Sequence, residues 1–437
     1  LWKNRANTIA QNGDYSPSGM NAMTSAPPSN GVRLFNMAAF VVLMVGLPFW
    51  VWYCQIAVGH YDGGLVFPDA TFWSHVEGPS AKGAVFYLGW LALQAALYHF
   101  LPGKPEEGQP LPDGSRLTYR LNGLASFGIT IGLWFGLHVS GVLPGSFIYE
   151  NLATILGTAN LVVMALCIYV YVLGRSQATA EEKQLNPLEA FFLGAARNPR
   201  NGTFDWKFFC ESRPGLTFWV LISLSSAVHQ YETFGTVTNA MGLACFFIFL
   251  YIVDYYIHED AILTTWDIIH EPFGWMLCWG SLIYVPFFYP MSAVWLAQHA
   301  YSLPLWAAIG IFVLGVTGYV IFRQCNIQKH HFRKDPTTKI WGKDPTFIQT
   351  KRGTKLLTSG WWGVASHANY LGDLMMSLAM GLTVGGNTIF GYGYFLAFVI
   401  LLVHRDWRDD KHCADKYGDD WKAYREKVRW HIVPGLY

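Results

Sequence analysis

The chain has 437 residues, of which 52% are hydrophobic, 16% aromatic and only 14% charged. This charged fraction lies far below the roughly 25% of a soluble domain and indicates an integral membrane protein. Thirty Lys and Arg against 29 Asp and Glu leave a net charge of +1, which gives no support to a nucleic-acid-binding or acidic-partner protein. The seven cysteines form no CxxC pair, which excludes a disulfide framework and a zinc ribbon.

The chain starts with a polar segment, residues 1–35, whose Ser, Asn, Gly and Pro content predicts a disordered tail. Ten apolar stretches follow, each near the roughly 20 residues that a helix needs to cross a bilayer. The sequence therefore predicts an all-α, polytopic membrane protein with about ten transmembrane helices. These lie near 36–59, 83–101, 121–139, 148–173, 216–233, 237–257, 273–296, 304–322, 370–386 and 387–403.

Positive charge is confined to a few segments of the chain. Of the 30 Lys and Arg, 29 lie in five segments, and Lys82 is the exception. Lys and Arg accumulate in the cytoplasmic loops of membrane proteins. With ten spans these segments share one side, which predicts that both termini are cytoplasmic. The segments are 1–35, 102–120, 174–215, 323–360 and 404–437.

Polar chemistry concentrates after the eighth predicted helix. We therefore divide the chain into the tail, transmembrane helices 1–8 at 36–322, and a cofactor-binding region at 323–437 with helices 9 and 10 and a C-terminal helix. If the eighth helix continues, Lys329 and Arg333 share one face, where they would hold phosphates or anionic lipid head groups. Trp362 would stack on a ring or anchor at the interface.

Two further groups of polar side chains follow in this region. His367, Asn369, Tyr370 and Asp373 lie at the start of the ninth predicted helix. In the C-terminal helix, Arg405 and Asp409 have i, i+4 spacing, typical of a side-chain bridge. Alternatively, Arg405 faces a phosphate and Asp409 handles a proton. Aromatic and basic residues continue after them, at Lys416, Tyr417 and Tyr424.

One further candidate lies in the sixth predicted helix. Tyr251 and Asp254 are three residues apart on one helix face. An ionisable group inside the membrane is a functional hypothesis by default. The alternative is that Tyr251 is a packed tyrosine.

Several classes of site are absent from the sequence. It contains no GxGxxG after a strand and no GxxxxGK[ST], so side chains must hold any nucleotide. The closely spaced His boxes of membrane di-iron enzymes are missing, so no metal site is expected. Charges lie mainly in loops and the C-terminal third, which argues against proton-coupled transport.

Five segments resemble the sterol reductase family, which includes delta(14)-sterol reductase, 7-dehydrocholesterol reductase and the C-terminal domain of the lamin B receptor. Family members commonly carry Arg-Glu where this chain has Ala195 and Ala196, Asp where it has Ser281, and Arg where it has Ser366. The last change weakens inferences about cofactor geometry, and the change at Ser281 weakens those about substrate choice. The matching segments are 101–123, 198–222, 263–277, 356–379 (with SGWWGVASHANYLGD) and 401–437 (with HRDWRDDKHC).

The resemblance implies NADPH-dependent reduction of a sterol carbon–carbon double bond, and these motifs favour delta(14). A sterol would enter from the bilayer, and no nucleic acid or obligate protein partner is expected. The membrane would be the endoplasmic reticulum in a eukaryote or the cytoplasmic membrane in a bacterium. Tyr251 and Asp409 match positions implied in protonation. The predicted cofactor contacts, in a pocket on the cytoplasmic side, are Lys329, Arg333, Trp362, His367, Asn369, Tyr370, Asp373, Arg405, Lys416, Tyr417 and Tyr424.

Other functions stay open from the sequence. Reduction of a delta(7) or side-chain double bond uses the same motifs. A membrane methyltransferase similar to the isoprenylcysteine carboxyl methyltransferases also has a charged, aromatic C-terminal helix. A non-enzymatic sterol sensor or scaffold is the third alternative. Preference for NADPH, for S-adenosylmethionine or for neither separates these classes.

The charge partition predicts the result of cysteine labelling. Cysteines introduced near residues 110, 190 and 340 should react with an impermeant maleimide from the cytoplasmic side, and one near residue 70 from the opposite side, because Lys and Arg collect in cytoplasmic loops. The parent protein with its native cysteines is the blank. Labelling of 190 and 340 from opposite sides would contradict the ten-helix arrangement.

Overall fold

The computed structural model describes residues 30–111, 114–180 and 182–437. Most of these residues are helical, which confirms the predicted all-α class, and their strands form short antiparallel pairs. They divide into two compact units. The N-terminal unit contains the described residues up to 303 together with 383–393, and the C-terminal unit contains 304–382 and 394–437.

The N-terminal unit is built from helices joined by short loops. Two strand pairs, β1 (Lys104–Pro110) with β2 (Arg116–Leu121) and β3 (Arg200–Asn201) with β4 (Phe204–Asp205), lie between helices, and a π-helical turn, Gly280–Tyr284, joins α13 to α14. The helices are α1 (Asn30–His60), α2 (Ala70–Trp73), α3 (Ala81–Phe100), α4 (Gly123–Val139), α5 (Phe147–Glu150), α6 (Leu152–Gln177), α7 (Pro187–Phe192), α8 (Trp206–Ser212), α9 (Pro214–Phe234), α10 (Asn239–Ile257), α11 (Glu259–Ile262), α12 (Trp266–His270), α13 (Trp275–Trp279), α14 (Val285–Phe288) and α15 (Met291–Ala297).

A buried ion pair joins three helices of this unit. The guanidinium of Arg213 at the start of α9 pairs with the carboxylate of Glu259 in α11. Glu259 also accepts a hydrogen bond of 2.8 Å from the backbone N–H of Gly123 in α4, and Arg213 donates one of 3.0 Å to the side-chain oxygen of Asn122. Both charged side chains are buried, so each needs the other to offset the loss of water.

The C-terminal unit holds a long helix, a small hairpin and a helical end. Its elements are α16 (Leu305–Lys334), β5 (Phe347–Gln349), β6 (Lys355–Leu357), α17 (Trp361–Val364), α18 (Ala368–Leu382), nearly all of α19 (Gly393–Tyr417) and α20 (Asp419–Lys427).

Helices α16 and α18 cross in backbone contact. A Cβ on Gly318 would lie 2.7 Å from the carbonyl oxygen of Gly372, and a Cβ on Gly372 would lie 2.6 Å from that of Gly318. Small residues at such a crossing let helix backbones approach closely. This contact brings the first half of α18 against the middle of α16.

The observed helices cover most of each of the ten predicted segments, with differences at the ends. The first helix begins at Asn30, so residues 30–35 of the predicted tail are helical. Residues 1–29 of that tail lie outside the described part of the chain. The ninth stops at Leu382, ahead of Gly385 with its positive φ of 59°. The tenth begins at Gly393 and continues to Tyr417, so it includes the start of the predicted C-terminal helix.

Five described helical stretches are long and apolar enough to cross a membrane, which supports a polytopic membrane protein. The count of ten spans and the division at residue 323 stay predictions. The five are Leu34–His60, Leu152–Gln177, Asn239–Ile257, Trp275–Ala297 and Leu305–Lys334, and Gly123–Val139 is a shorter apolar helix.

The glycine crossing predicts a position-dependent effect of alanine within α16. Gly318→Ala should lower stability by about 1–3 kcal/mol because the added methyl group meets the backbone of α18. Gly310→Ala is the matched control, since a Cβ there has no neighbour within 4 Å and alanine favours a helix. Thermal unfolding of the detergent-solubilised protein measures both. Equal midpoints for the two variants would contradict the close crossing.

Candidate active site

The basic residues at the end of α16 lie beside a buried tryptophan. The helix continues through Lys334, which confirms that Lys329 and Arg333 share a face. The ammonium of Lys329 lies 4.0 Å from the centre of the Trp362 ring, within cation–π distance. Trp362 donates its indole N–H to the carbonyl oxygen of Cys325 over 2.8 Å. Arg333 is exposed to solvent.

Glutamines on α16 hold the turn that carries Trp362. Gln328 accepts a 3.0 Å hydrogen bond from the backbone N–H of Trp361, and Gln324 accepts one of 2.8 Å from its indole N–H. Gly360 has a φ of 63°, and a Cβ there would lie 2.6 Å from Ile340. Packing against α16 therefore determines the orientation of Trp362, and its stacking on a cofactor stays a prediction.

His367 lies between two carboxylates. Its Nδ1 is 2.7 Å from Asp406 and its Nε2 is 3.1 Å from Asp409, both in α19. The side chain of His367 is buried, and its ring stacks on that of Tyr370 at 4.8 Å. Burial alone would lower the pKa of His367, but the hydrogen bonds and charges of the two carboxylates outweigh it and raise the pKa above 6.5.

Asp409 is the second member of this pair. Burial alone would raise its pKa, but the hydrogen bond and charge of His367, followed by the charges of Lys329 and His412, lower it below the usual value. Asp409 is therefore ionised near neutral pH.

Asp406 is the residue of this region that the sequence analysis missed. It is fully buried and receives hydrogen bonds from three residues. Besides His367, its carboxylate lies 2.9 Å from Nδ1 of His431 and accepts a 2.9 Å hydrogen bond from the hydroxyl of Tyr437. Burial would raise the pKa of Asp406, but these partners, His367 foremost, lower it. Its i, i+3 spacing with Asp409 was the one signal in the sequence.

Backbone contacts hold His367 against the end of the chain. The N–H of His367 donates to the carbonyl oxygen of His431 over 2.8 Å, and the N–H of Ser366 donates to that of Trp430 over 3.0 Å. Arg425 in α20 donates to the hydroxyl of Ser366 over 3.2 Å. Ser366 thus has an arginine from another element as its partner.

The first turns of α18 carry further predicted residues. The side-chain oxygen of Asn369 is buried and has no hydrogen-bond donor among the described residues. Asp373 lies one turn later and is buried. Arg405, in α19, is half-buried. These residues belong to the same unit as His367, as the sequence analysis expected.

The remaining predicted contacts pack near β5 and β6. Tyr424 is buried and stacks on Trp421 at 4.7 Å, with Tyr417 packed against this cluster. The ammonium of Lys416 lies 5.3 Å from the ring of Tyr417. The aromatic residues thus have packing partners within the protein, and their contact with a cofactor stays a prediction.

Tyr251 differs from the other candidates because it belongs to the N-terminal unit. It lies in α10, with its ring 6.2 Å from that of Trp219. In the same unit, Ala195 and Ala196 are buried, and Ser281 lies in the π-helical turn. Such turns interrupt helices frequently at functional sites.

One group in the N-terminal unit was not expected. Glu150, His229 and Glu232 bring potential metal-ligand atoms within 4.8 Å of one another, and both glutamates are exposed. Exposed acidic groups of this kind are common without a metal, and this group does not by itself make a metal site.

The C-terminal unit contains side chains that suit a phosphorylated ligand. Lys329, Arg333, Arg405 and Lys416 are cationic donors of the kind that binds phosphates without a Gly-rich loop. The buried oxygen of Asn369 lacks a donor among the described residues, which an amide N–H of a ligand would supply.

The chain is similar to known proteins over most of its length. The chain is 47% identical to delta(14)-sterol reductase of Methylotuvimicrobium alcaliphilum over 404 residues, which cover 91% of this chain and 95% of the relative. Identity to delta(14)-sterol reductase of Dictyostelium discoideum is 42%, covering 82% and 79%. Identity to 7-dehydrocholesterol reductase of Xenopus laevis is 35%, covering 93% of each chain. The model of the ergosterol biosynthesis ERG4/ERG24 family matches residues 18–437, and the chain belongs to this family.

Proposed function

We propose that the chain reduces a carbon–carbon double bond of a sterol in sterol biosynthesis, with NADPH as hydride donor, and that the bond is delta(14). The observation that carries this is 47% identity to a delta(14)-sterol reductase over 95% of that protein. Incubation of the purified protein with NADPH and 8,14-diene, 5,7-diene and side-chain-unsaturated sterols tests it. Turnover of the 8,14-diene is expected, and turnover of the others alone would contradict the delta(14) assignment.

Side chains of the C-terminal unit would hold the cofactor. Lys329, Arg333, Arg405 and Lys416 would neutralise its phosphates, and Asn369 would accept a hydrogen bond from the carboxamide. Bound NADPH supplies a hydride to one carbon of the double bond. Trp362, His367, Tyr370, Asp373, Tyr417 and Tyr424 would complete the pocket.

The protein must also supply a proton. An alkene without an electron-withdrawing group is a poor hydride acceptor, so an acid must protonate one carbon as the hydride reaches the other. Asp409 and Tyr251 are the proposed donors. The contact of Asp409 with His367 at 3.1 Å supports this role, since His367 would supply Asp409 with a proton.

The membrane arrangement is part of the proposal. Ten spans would place the cofactor pocket on the cytoplasmic side, as the partition of Lys and Arg suggests. The apolar sterol would reach the site from the bilayer. The membrane would be that of the endoplasmic reticulum in a eukaryotic cell or the cytoplasmic membrane in a bacterium.

One comparison supports a second candidate substrate. The 35% identity to a 7-dehydrocholesterol reductase covers 93% of both chains, so delta(7) reduction is the alternative. Delta(7) reduction ranks second because the identity to two delta(14)-sterol reductases is higher.

Cofactor choice gives the first prediction for this function. NADPH should bind more tightly than NADH, and more weakly as salt rises, because phosphate contacts near the surface are screened. Arg333→Ala and Arg405→Ala should each weaken NADPH binding in calorimetric titration. Lys422→Ala is the control, since its ammonium pairs with Asp419 in an exposed position. Equal affinity for both nucleotides would show that these arginines do not read the 2′-phosphate.

The proton donors give the second prediction. Asp409→Asn and Tyr251→Phe should slow sterol reduction by roughly 10²–10⁴-fold, the usual contribution of a general acid. NADPH affinity should change by only about fivefold, the effect of one neutral hydrogen bond. Single-turnover reduction and NADPH binding are measured on the same preparations.

Two variants that carry the same substitutions at exposed positions serve as controls. Tyr231→Phe alters an exposed tyrosine, and Asp419→Asn alters an exposed carboxylate. Equal loss of binding and rate in Asp409→Asn would make Asp409 a cofactor contact. Full activity of Tyr251→Phe would make Tyr251 a packed tyrosine.

A further inference from the structure

We propose that His367 stores the proton used in the reduction, and that Asp406 is the positioning residue that keeps His367 charged and directed at Asp409. This inference rests on the proposed function. It extends that function because it assigns the source of the proton to a residue behind Asp409, and it gives a role to the segment around His431 and Tyr437.

The geometry around His367 requires a proton on both ring nitrogens. Both ring nitrogens of His367 lie within hydrogen-bond distance of carboxylate oxygens, at 2.7 Å from Asp406 and 3.1 Å from Asp409. An ionised carboxylate only accepts hydrogen bonds, and a neutral imidazole has only one N–H to donate. The arrangement is therefore satisfied by an imidazolium between two carboxylates.

The two carboxylates differ in their exposure and in their other hydrogen-bond partners. Asp406 is fully buried and already receives hydrogen bonds from His431 and Tyr437. Asp409 is about one-third exposed. A proton that leaves Nε2 therefore passes to Asp409, on the more open side, while Asp406 holds Nδ1 and the ring in place.

The charged surroundings come from every element packed around His367. Asp406 and Asp409 contact it directly and favour the imidazolium. Lys329 and His412 act on Asp409 and oppose an additional positive charge. The full set is Lys329 from α16, Tyr370 and Asp373 from α18, Arg405, Asp406, Asp409 and His412 from α19, Arg425 from α20, and His431 and Tyr437 from the last residues.

The proton moves in two steps. The Nε2–H bond of His367 breaks as an O–H bond forms on Asp409. That O–H bond then breaks as a C–H bond forms at one alkene carbon. The second C–H bond uses the hydride that NADPH supplies, so the alkene is reduced by two electrons and NADPH becomes NADP⁺. Neutral His367 then regains a proton from solvent.

The pH dependence of the rate tests the assignment. Reduction requires charged His367, so the single-turnover rate should be level below its pKa and fall above it. Asp406→Asn removes one carboxylate and should move the falling limb to lower pH, with NADPH affinity nearly unchanged. Tyr437→Phe keeps the charge of Asp406 and should leave the limb in place.

A second readout needs neither cofactor nor sterol. Nitrogen-15 NMR of labelled histidines follows the charge of each imidazole, and the signal lost in His367→Gln identifies His367. It should stay charged to higher pH than a histidine in an unfolded chain and lose its proton at lower pH in Asp406→Asn. His431→Gln removes a neighbouring cation that shares Asp406, so it should shift the His367 titration upward, and this variant serves if Asp406→Asn does not fold.

The outcomes separate the two proposals. If the wild-type protein reduces no sterol with NADPH, the proposed function fails, and NMR still reports the state of His367. If it does reduce the 8,14-diene and neither Asp406→Asn nor His431→Gln moves the limb or the NMR titration, the role of His367 is wrong. Asp406→Asn that loses NADPH affinity and rate in equal proportion, with an unmoved limb, would make Asp406 purely structural.

Discussion

A buried carboxylate organises the C-terminal unit. Asp406 has no exposed surface, and an unpaired charge in such a position would cost several kcal/mol. Its partners come from two other places in the sequence: His367, ahead of α18, and the segment that contains His431 and Tyr437. The hydrogen bonds that satisfy this one charge therefore join α19, the start of α18 and the last residues of the chain. The position of His367, and through it that of Asp409, depends on this arrangement.

In the N-terminal unit, a buried positive charge is likewise satisfied by partners from other elements. Arg213 is withdrawn from water and pairs with Glu259, while Asn122 and the N–H of Gly123 satisfy the remaining polar atoms. In a chain with so few charges, a buried pair of this kind specifies which helix ends meet. Apolar side chains alone do so weakly, because in a bilayer lipid competes for them. Close backbone contact, as between Gly318 and Gly372, adds the second source of specificity.

The proposed reduction would need no Rossmann fold. Cations along α16 and α19 would take the place of a Gly-rich loop, since arginine and lysine bind phosphates directly. Asp409 lies one turn after Arg405 on α19, and against the effect of burial His367 and Lys329 lower its pKa. A proton donor close to the cofactor contacts would let hydride and proton be delivered together, which an alkene without an electron-withdrawing group requires.

Sequence alone determined the class of protein and the approximate helices, because a helix in lipid must be apolar over a set length and satisfy its own backbone groups. It also predicted that Lys329 and Arg333 share a face, which follows from helical periodicity. It did not distinguish Asp406 from the neighbouring acids of HRDWRDD. The partners that define Asp406 lie 25 and 31 residues away, at His431 and Tyr437, and only folding brings them together. The raised pKa of His367 likewise depends on tertiary structure, since it follows from burial and from two carboxylates at hydrogen-bond distance.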